Sequence, residues 1–271
     1  MNGGGHMRVI NAAAERHRSL YHYQSFKDES VGYLTQTLRE RTIRMSKPSG
    51  FNDPWDSKPW FNSSILDDPD ERERHLQWLI AAASVQPADA DEMRANPELL
   101  RATVELVRDG NLRAIDENYR VYCLSPDPLI QLMWAHYGDN HRGVALEFDA
   151  RAGQMLSAFR VDYSSDYPTV RVYDAEENAA LVPIFTKSDV WAYENEYRLI
   201  AEESIHPLRD MLRTADSILR LEPGALIGLV IGCQCDADHV LDIVDRHASD
   251  LRVRRAVRVM DKYELRLETL R

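Results

Sequence analysis

From Leu20 to Phe26 apolar and aromatic residues alternate with polar ones, the period of a half-buried strand. The spacing then lengthens. Val31, Leu34 and Leu38 recur at helical intervals behind Asp28, Glu29 and Ser30, which predicts a helix over 28–41. Thr42 to Ser46 predicts a short strand running into Lys47–Asp56, where two prolines, a glycine and Asn-Asp-Pro specify an ordered irregular loop. Residues 67–118 carry acidic, alanine-rich helical patterns broken at Pro87 and Pro97. Beyond them the pattern predicts strands at 121–125, 144–148 and 159–163, helices at 128–137 and 176–185, and a segment over 191–201 that passes from aromatic-acidic into strand. The chain closes with strand 227–231, helix 236–247 and strands 251–259 and 263–267. Strands and helices do not alternate as βαβα units, and no repeat or Gly/Ser linker interrupts them. The predicted class is α+β: a mixed or antiparallel β core with flanking helices, one domain over 8–271 with a helical insertion at about 67–118.

Composition narrows the function classes. The 271 residues carry 44 acidic and 33 basic side chains, a net charge of −11. That sign opposes bulk binding to nucleic acid or to an anionic membrane surface. No apolar run reaches the ~18 residues of a membrane span, so no membrane partner is expected. Three cysteines form no spaced framework, which fits reduced thiols and a cytoplasmic setting. The opening Met1–Met7 reads as an expression remnant rather than a targeting segment.

The chain lacks a phosphate-binding P-loop, a dinucleotide fingerprint, a nucleophile elbow and a zinc-protease helix. Cys233-x-Cys235 with His239 has no second half-site at zinc spacing and reads as structural thiols. His136, Asp139, His141 and Glu147 flank a helix end and a tight turn, where capping and packing explain them, so no metal site is expected. Three segments hold more chemistry than packing demands. In Tyr21-His22-Tyr23, alternation sets His22 on the face opposite both tyrosines. In Phe51-Asn52-Asp53-Pro-Trp55-Asp56, the Asn-Asp pair can bond its own backbone and hold Phe51 and Trp55 beside a cleft. In Trp191-Ala-Tyr-Glu194-Asn-Glu196-Tyr-Arg198, an extended backbone would put both glutamates on one face, with Arg198 continuing it as an internal ion-pair partner.

Taken in order, these segments resemble a bacterial family known as domain of unknown function 2971. The matching strings are Leu20-Tyr-His-Tyr23, Ser46-Lys-Pro-Ser-Gly-Phe-Asn-Asp-Pro-Trp55, Tyr122-Cys-Leu-Ser125, Met133–Asp149 with Trp134, Tyr137 and Arg142, and Lys187 with Trp191–Arg198. A second resemblance is to ADP-ribosyltransferases, whose split β-core offers an early-strand His, a Ser or Tyr from a second element, and a late Glu, often as Glu-x-Glu. His22, Ser46 and Glu194-Asn-Glu196 follow that order, although the Ser-Thr-Ser run of that family is missing. The resemblance implies NAD as co-substrate, hence a small-molecule nucleotide partner, with the macromolecular acceptor unspecified. Glu196 would stabilise the oxocarbenium ion, Glu194 would orient or deprotonate the acceptor, and His22 would contact the dinucleotide. Tyr21, Tyr23, Phe51 and Trp55 would stack its rings, and Arg142 or Arg198 would pair with its pyrophosphate. Asn52, Asp53, Trp134, Tyr137, Lys187 and Trp191 complete the expected binding residues. Two alternatives stand beside it. One is a metal-dependent nuclease or phosphodiesterase using Asp53, Asp56, Glu194 and Glu196 around Mg²⁺ with Lys187 near the phosphate. The other is a non-catalytic ligand-sensing or interaction domain in which Glu194, Glu196 and Arg198 form a buried ion-pair network.

Overall fold

The computed structural model describes residues 10–58, 62–83, 85–167, 173, 181–203 and 211–271. The expected remnant at 1–7 and the stretch 176–180 of the helix expected over 176–185 lie outside the described residues. In chain order the elements are β1 (Ser19–Gln24), α1 (Glu29–Glu40), β2 (Thr42–Arg44), α2 (Pro69–Ala83), α3 (Pro87–Ala95), α4 (Pro97–Asn118) and β3 (Tyr119–Leu124). They continue with α5 (Gln131–His136), β4 (Val144–Asp149), β5 (Phe159–Arg160), β6 (Asp162–Ser164), α6 (Val182–Phe185), β7 (Thr186–Ser188) and β8 (Tyr197–Glu202). β9 (Leu212–Arg213), β10 (Ile218–Arg220), β11 (Leu226–Ile231), α7 (Ala237–His247), β12 (Arg252–Arg258) and β13 (Leu265–Thr269) end the chain. The fold is α+β, and the chain divides into two compact units. Among the described residues no helix is long and apolar enough to cross a membrane.

The first unit takes in the chain up to Lys47, then Tyr119–Val161 and Val190–Arg271. Its main sheet runs β1-β4-β11-β12-β13, antiparallel except for the β11–β12 pair, which α7 connects as a parallel crossover. Alternation along each strand splits the apolar residues between two faces. On one face Leu20, Leu146, Phe148, Leu229 and Val253 pack in one core with Leu34 and Leu38 of α1 and Val240, Ile243 and Val244 of α7. Asp236 starts α7 by accepting from the His239 N–H, and Arg246 and His247 sit in its last turn, where their charge suits the dipole. On the other face Tyr21, Tyr23, Ala145, Val230 and Ala256 pack with Met133 and Trp134 of α5. A second sheet, β3-β8-β5, and the pair β10-β2 complete this unit.

The second unit comprises Pro48–Asn118 and Asp162–Asp189. α2, α3 and α4 bury Leu76, Leu79, Ala90, Met93, Leu100 and Val104 in a core of their own. The prolines that break the sequence pattern at 87 and 97 open α3 and α4, where the missing N–H is an orphan in any case. The single strand expected over 159–163 is two: Phe159–Arg160 pairs with β8, and Asp162–Ser164 pairs with β7. Partner availability in three dimensions decides that break, and local propensity carries no trace of it.

Candidate functional site

In the first unit β3 gathers residues that are far apart in sequence. Ser46 bridges Val121, each N–H donating to the other's carbonyl at 2.8 Å, and Ser46 is exposed. Just past the end of β3, Tyr21 bridges Ser125, so β1 runs alongside that end of the strand. His22 Nδ1 lies 2.8 Å from the Cys123 carbonyl, and its ring stacks on Tyr122 with centroids 4.0 Å apart. A carbonyl only accepts, so Nδ1 carries the proton and Nε2 is left as an acceptor. Burial lowers the His22 pKa to about 4, the Cys123 bond opposing it only in part, and the ring is therefore neutral at pH 7. On the other side of β3, Cys123 pairs with Arg198 of β8. The Arg198 guanidinium forks onto Glu196, Nε to Oε1 at 2.7 Å and Nη2 to Oε2 at 3.0 Å. Arg198 is 0% and Glu196 2% exposed.

The backbone that carries the two glutamates is not extended. Asp189–Glu194 winds as a 3-10 turn, and Asn195 takes a left-handed φ of 46° before β8 begins. Glu194 is buried, and the Tyr137 hydroxyl donates to its Oε1 at 2.7 Å. His136, Trp191 and Tyr193 form a triangle beside it, with ring centroids 6.1 to 6.4 Å apart.

Tyr21 and Tyr23 are buried, and the structure gives both hydroxyls protein partners. Tyr23 donates to the Asp127 carbonyl at 2.7 Å and packs edge-on against Trp134, whose indole N–H donates to the Pro128 carbonyl. Burial raises both tyrosine pKa values. Tyr21 belongs to a polar cluster that sequence reasoning missed. Its hydroxyl, Ser19 Oγ and Arg252 Nη2 all reach Oε1 of Glu147, at 3.0, 2.8 and 2.7 Å, while Arg254 Nη2 lies 2.8 Å from Oε2. Gly228 makes room for that carboxylate, since a Cβ there would stand 2.7 Å from Oε2. The signal was available in part: Glu147 interrupts an otherwise apolar strand, but its partners come from β1 and β12. Arg142 is exposed and follows a turn in which Asp139, Asn140 and His141 are all left-handed, at φ 49°, 52° and 67°.

The second unit holds the remaining expected residues. In the loop after Lys47, Asp53 accepts from the Trp55 N–H at 2.9 Å, the Asx-type turn that Asn-Asp-Pro predicts. Asp53, Asp56 and Ser57 are buried, Phe51 is partly buried, and Asn52 and Trp55 are exposed, Trp55 by 64%. Lys187 of β7, itself buried, approaches Asp56 at 3.7 Å. Tyr167, not anticipated from sequence, caps the loop by donating to the Lys58 and Trp55 carbonyls.

Among the described residues no group of three or more His, Cys, Asp or Glu side chains is arranged to hold a metal ion. Asp139 pairs with Lys27, and Glu147 with Arg252 and Arg254. Cys233 lies two residues beyond the end of β11 and is partly exposed, and Cys235 is buried. Residues 133–199 match the family described as Protein of unknown function (DUF2971). The matched segment runs from α5 through the left-handed turn and β4 to the Glu196–Arg198 fork. No curated protein and no solved structure matches the chain significantly.

Proposed function

We propose that the protein is an NAD⁺-consuming enzyme of ADP-ribosyltransferase type. One observation carries the reading: His22, Ser46 and the Glu196–Arg198 pair come from three distant stretches of chain, and all meet β3 at Val121 and Cys123. Cleaving the nicotinamide–ribose bond develops positive charge at the anomeric carbon, and an adjacent carboxylate stabilises it. Glu196 supplies that carboxylate. A diphosphate offers Arg198 a bidentate partner in place of Glu196, which frees the carboxylate to face the ribose. Neutral His22 presents Nε2 as an acceptor for a ribose hydroxyl, and Glu194, oriented by Tyr137, handles the proton of the acceptor. The family match names no reaction, so the chemistry rests on this convergence.

A second reading is favoured by the fork itself. A Glu–Arg pair buried this completely is a finished structural ion pair, as in a ligand-sensing or interaction domain. Nicotinamide release from labelled NAD⁺, with nucleic acid and lysate protein offered as acceptors, separates the two. The transferase reading expects release by the wild type and a loss of at least ~10²-fold in Glu196→Gln. Because removing one partner of a buried pair costs about 3–5 kcal/mol, melting is run in parallel, with Glu194→Gln as the second variant. No release by the folded wild type overturns the transferase reading.

A further inference from the structure

β13 closes one side of the five-stranded sheet, and no strand among the described residues pairs with its outer side. The Val259 N–H donates to the Glu264 carbonyl and the Leu270 N–H to the Val253 carbonyl, at 3.0 and 2.9 Å. Hydrogen-bonded pairs recur at every second residue of an antiparallel ladder. Glu264, Arg266, Glu268 and Leu270 therefore turn their main-chain groups toward β12, and Leu265, Leu267 and Thr269 turn theirs outward. The hairpin also concentrates exposed apolar surface: Met260, Tyr263 and Leu270 are 93, 99 and 42% exposed.

One device that protects natural edges is charged side chains, lysine above all, which repel a second edge of like charge. This edge carries Arg266 and Glu268, ion-paired side by side on one face of the strand. We propose that β13 pairs antiparallel with β13 of a second copy of this chain, about a two-fold axis through Leu267. In that register Leu267 faces its own copy and Leu265 faces Thr269, so all three outward residues exchange hydrogen bonds, about six in total. Arg266 falls opposite Glu268 of the second copy, in the pairs whose side chains approach most closely. The neighbouring two-fold registers that keep the same outward groups set Arg266 against Arg266, or Glu268 against Glu268. Like charges directly opposite are destabilising, so charge selects the one register. A contact between identical patches closes at two copies. Tyr263 comes opposite Arg271 of the second copy in the same ladder.

Sedimentation velocity of the full chain at loadings of about 5–200 µM, the range a small interface requires, tests this. The wild type dimerises, and Glu268→Arg, which sets arginine against Arg266, raises the dissociation constant about tenfold or more. The swap R266E/E268R restores dimerisation because opposite charges face each other again. Thr269→Pro removes an outward N–H that the monomer does not use, so it weakens the dimer while the melting temperature holds. If Glu268→Arg itself melts early, Thr269→Pro decides alone. A wild type that stays monomeric at the highest loading overturns the proposal, as does a dimer whose constant the folded variants leave within about twofold.

Discussion

Acid should destabilise this protein through His22, by an amount the structure allows to be worked out. The folded ring has a pKa of about 4 against an ordinary value of 6.5, because burial against Tyr122 penalises the charged form. A histidine whose folded pKa is depressed binds fewer protons folded than unfolded. Its effect is absent above the unfolded pKa, appears as pH falls through 6.5, and saturates below 4. At pH 5 the unfolded ring is almost wholly protonated and the folded ring almost wholly neutral, which costs about 2 kcal/mol, rising toward about 3 at saturation. His22→Gln keeps an N–H for the Cys123 carbonyl and removes the titration. Urea unfolding of both proteins at pH 7.5 and pH 5 should show the wild type losing roughly 2 kcal/mol relative to the variant between the two conditions. In thermal melts the same term is worth roughly 4–8 °C. A gap equal at both pH values within about 0.5 kcal/mol would refute the buried neutral ring, and with it the free Nε2 acceptor.

Two further predictions test the packing around the left-handed turn and the thiols. Gly232→Ala would put a Cβ 2.3 Å from the His141 carbonyl oxygen and 2.9 Å from that of Gly143, both main-chain atoms of a turn that is already strained. Denaturant melts should show a loss of about 2–3 kcal/mol or more. Gly32→Ala in α1, with open space at its Cβ, should instead gain about 0.5–1 kcal/mol as the control. Burial pushes the Cys235 thiol up to about 12, so peptide mapping after iodoacetamide at pH 8 should find it unlabelled in the native protein and labelled once urea unfolds the chain.

Much of the fold was legible because its signals are local. The alternation of Leu20–Phe26 put His22 opposite Tyr21 and Tyr23, and the structure has His22 on Tyr122 while the tyrosines pack around Trp134. Val31, Leu34 and Leu38 marked the buried face of α1, and Asn-Asp-Pro marked the Asx turn at Asp53. The segment 133–199, which matches the DUF2971 family model, is marked by rare strings of Trp, Tyr and Gly. Sequence also offered Arg198 as a partner for Glu196, since residues two apart in an extended segment share a face.

Other features depended on what each residue met in space. Glu194 and Glu196 were read on an extended backbone, but Asn195 between them is left-handed, and non-glycine residues adopt that conformation only where surrounding contacts enforce it. Glu147 became the centre of a charge cluster because β1 and β12 bring Ser19, Tyr21, Arg252 and Arg254 to it from opposite ends of the chain. Periodicity along one strand records which face is apolar, but not which strand lies beside it. Sequence by itself therefore determined the longer strands and helices and the face that each buries, while short pieces such as β5 and β6 depended on their partners. Strand pairing decided that His22, Ser46 and the Glu196–Arg198 fork all meet β3, because hydrogen-bonded register is a property of two chain segments rather than one.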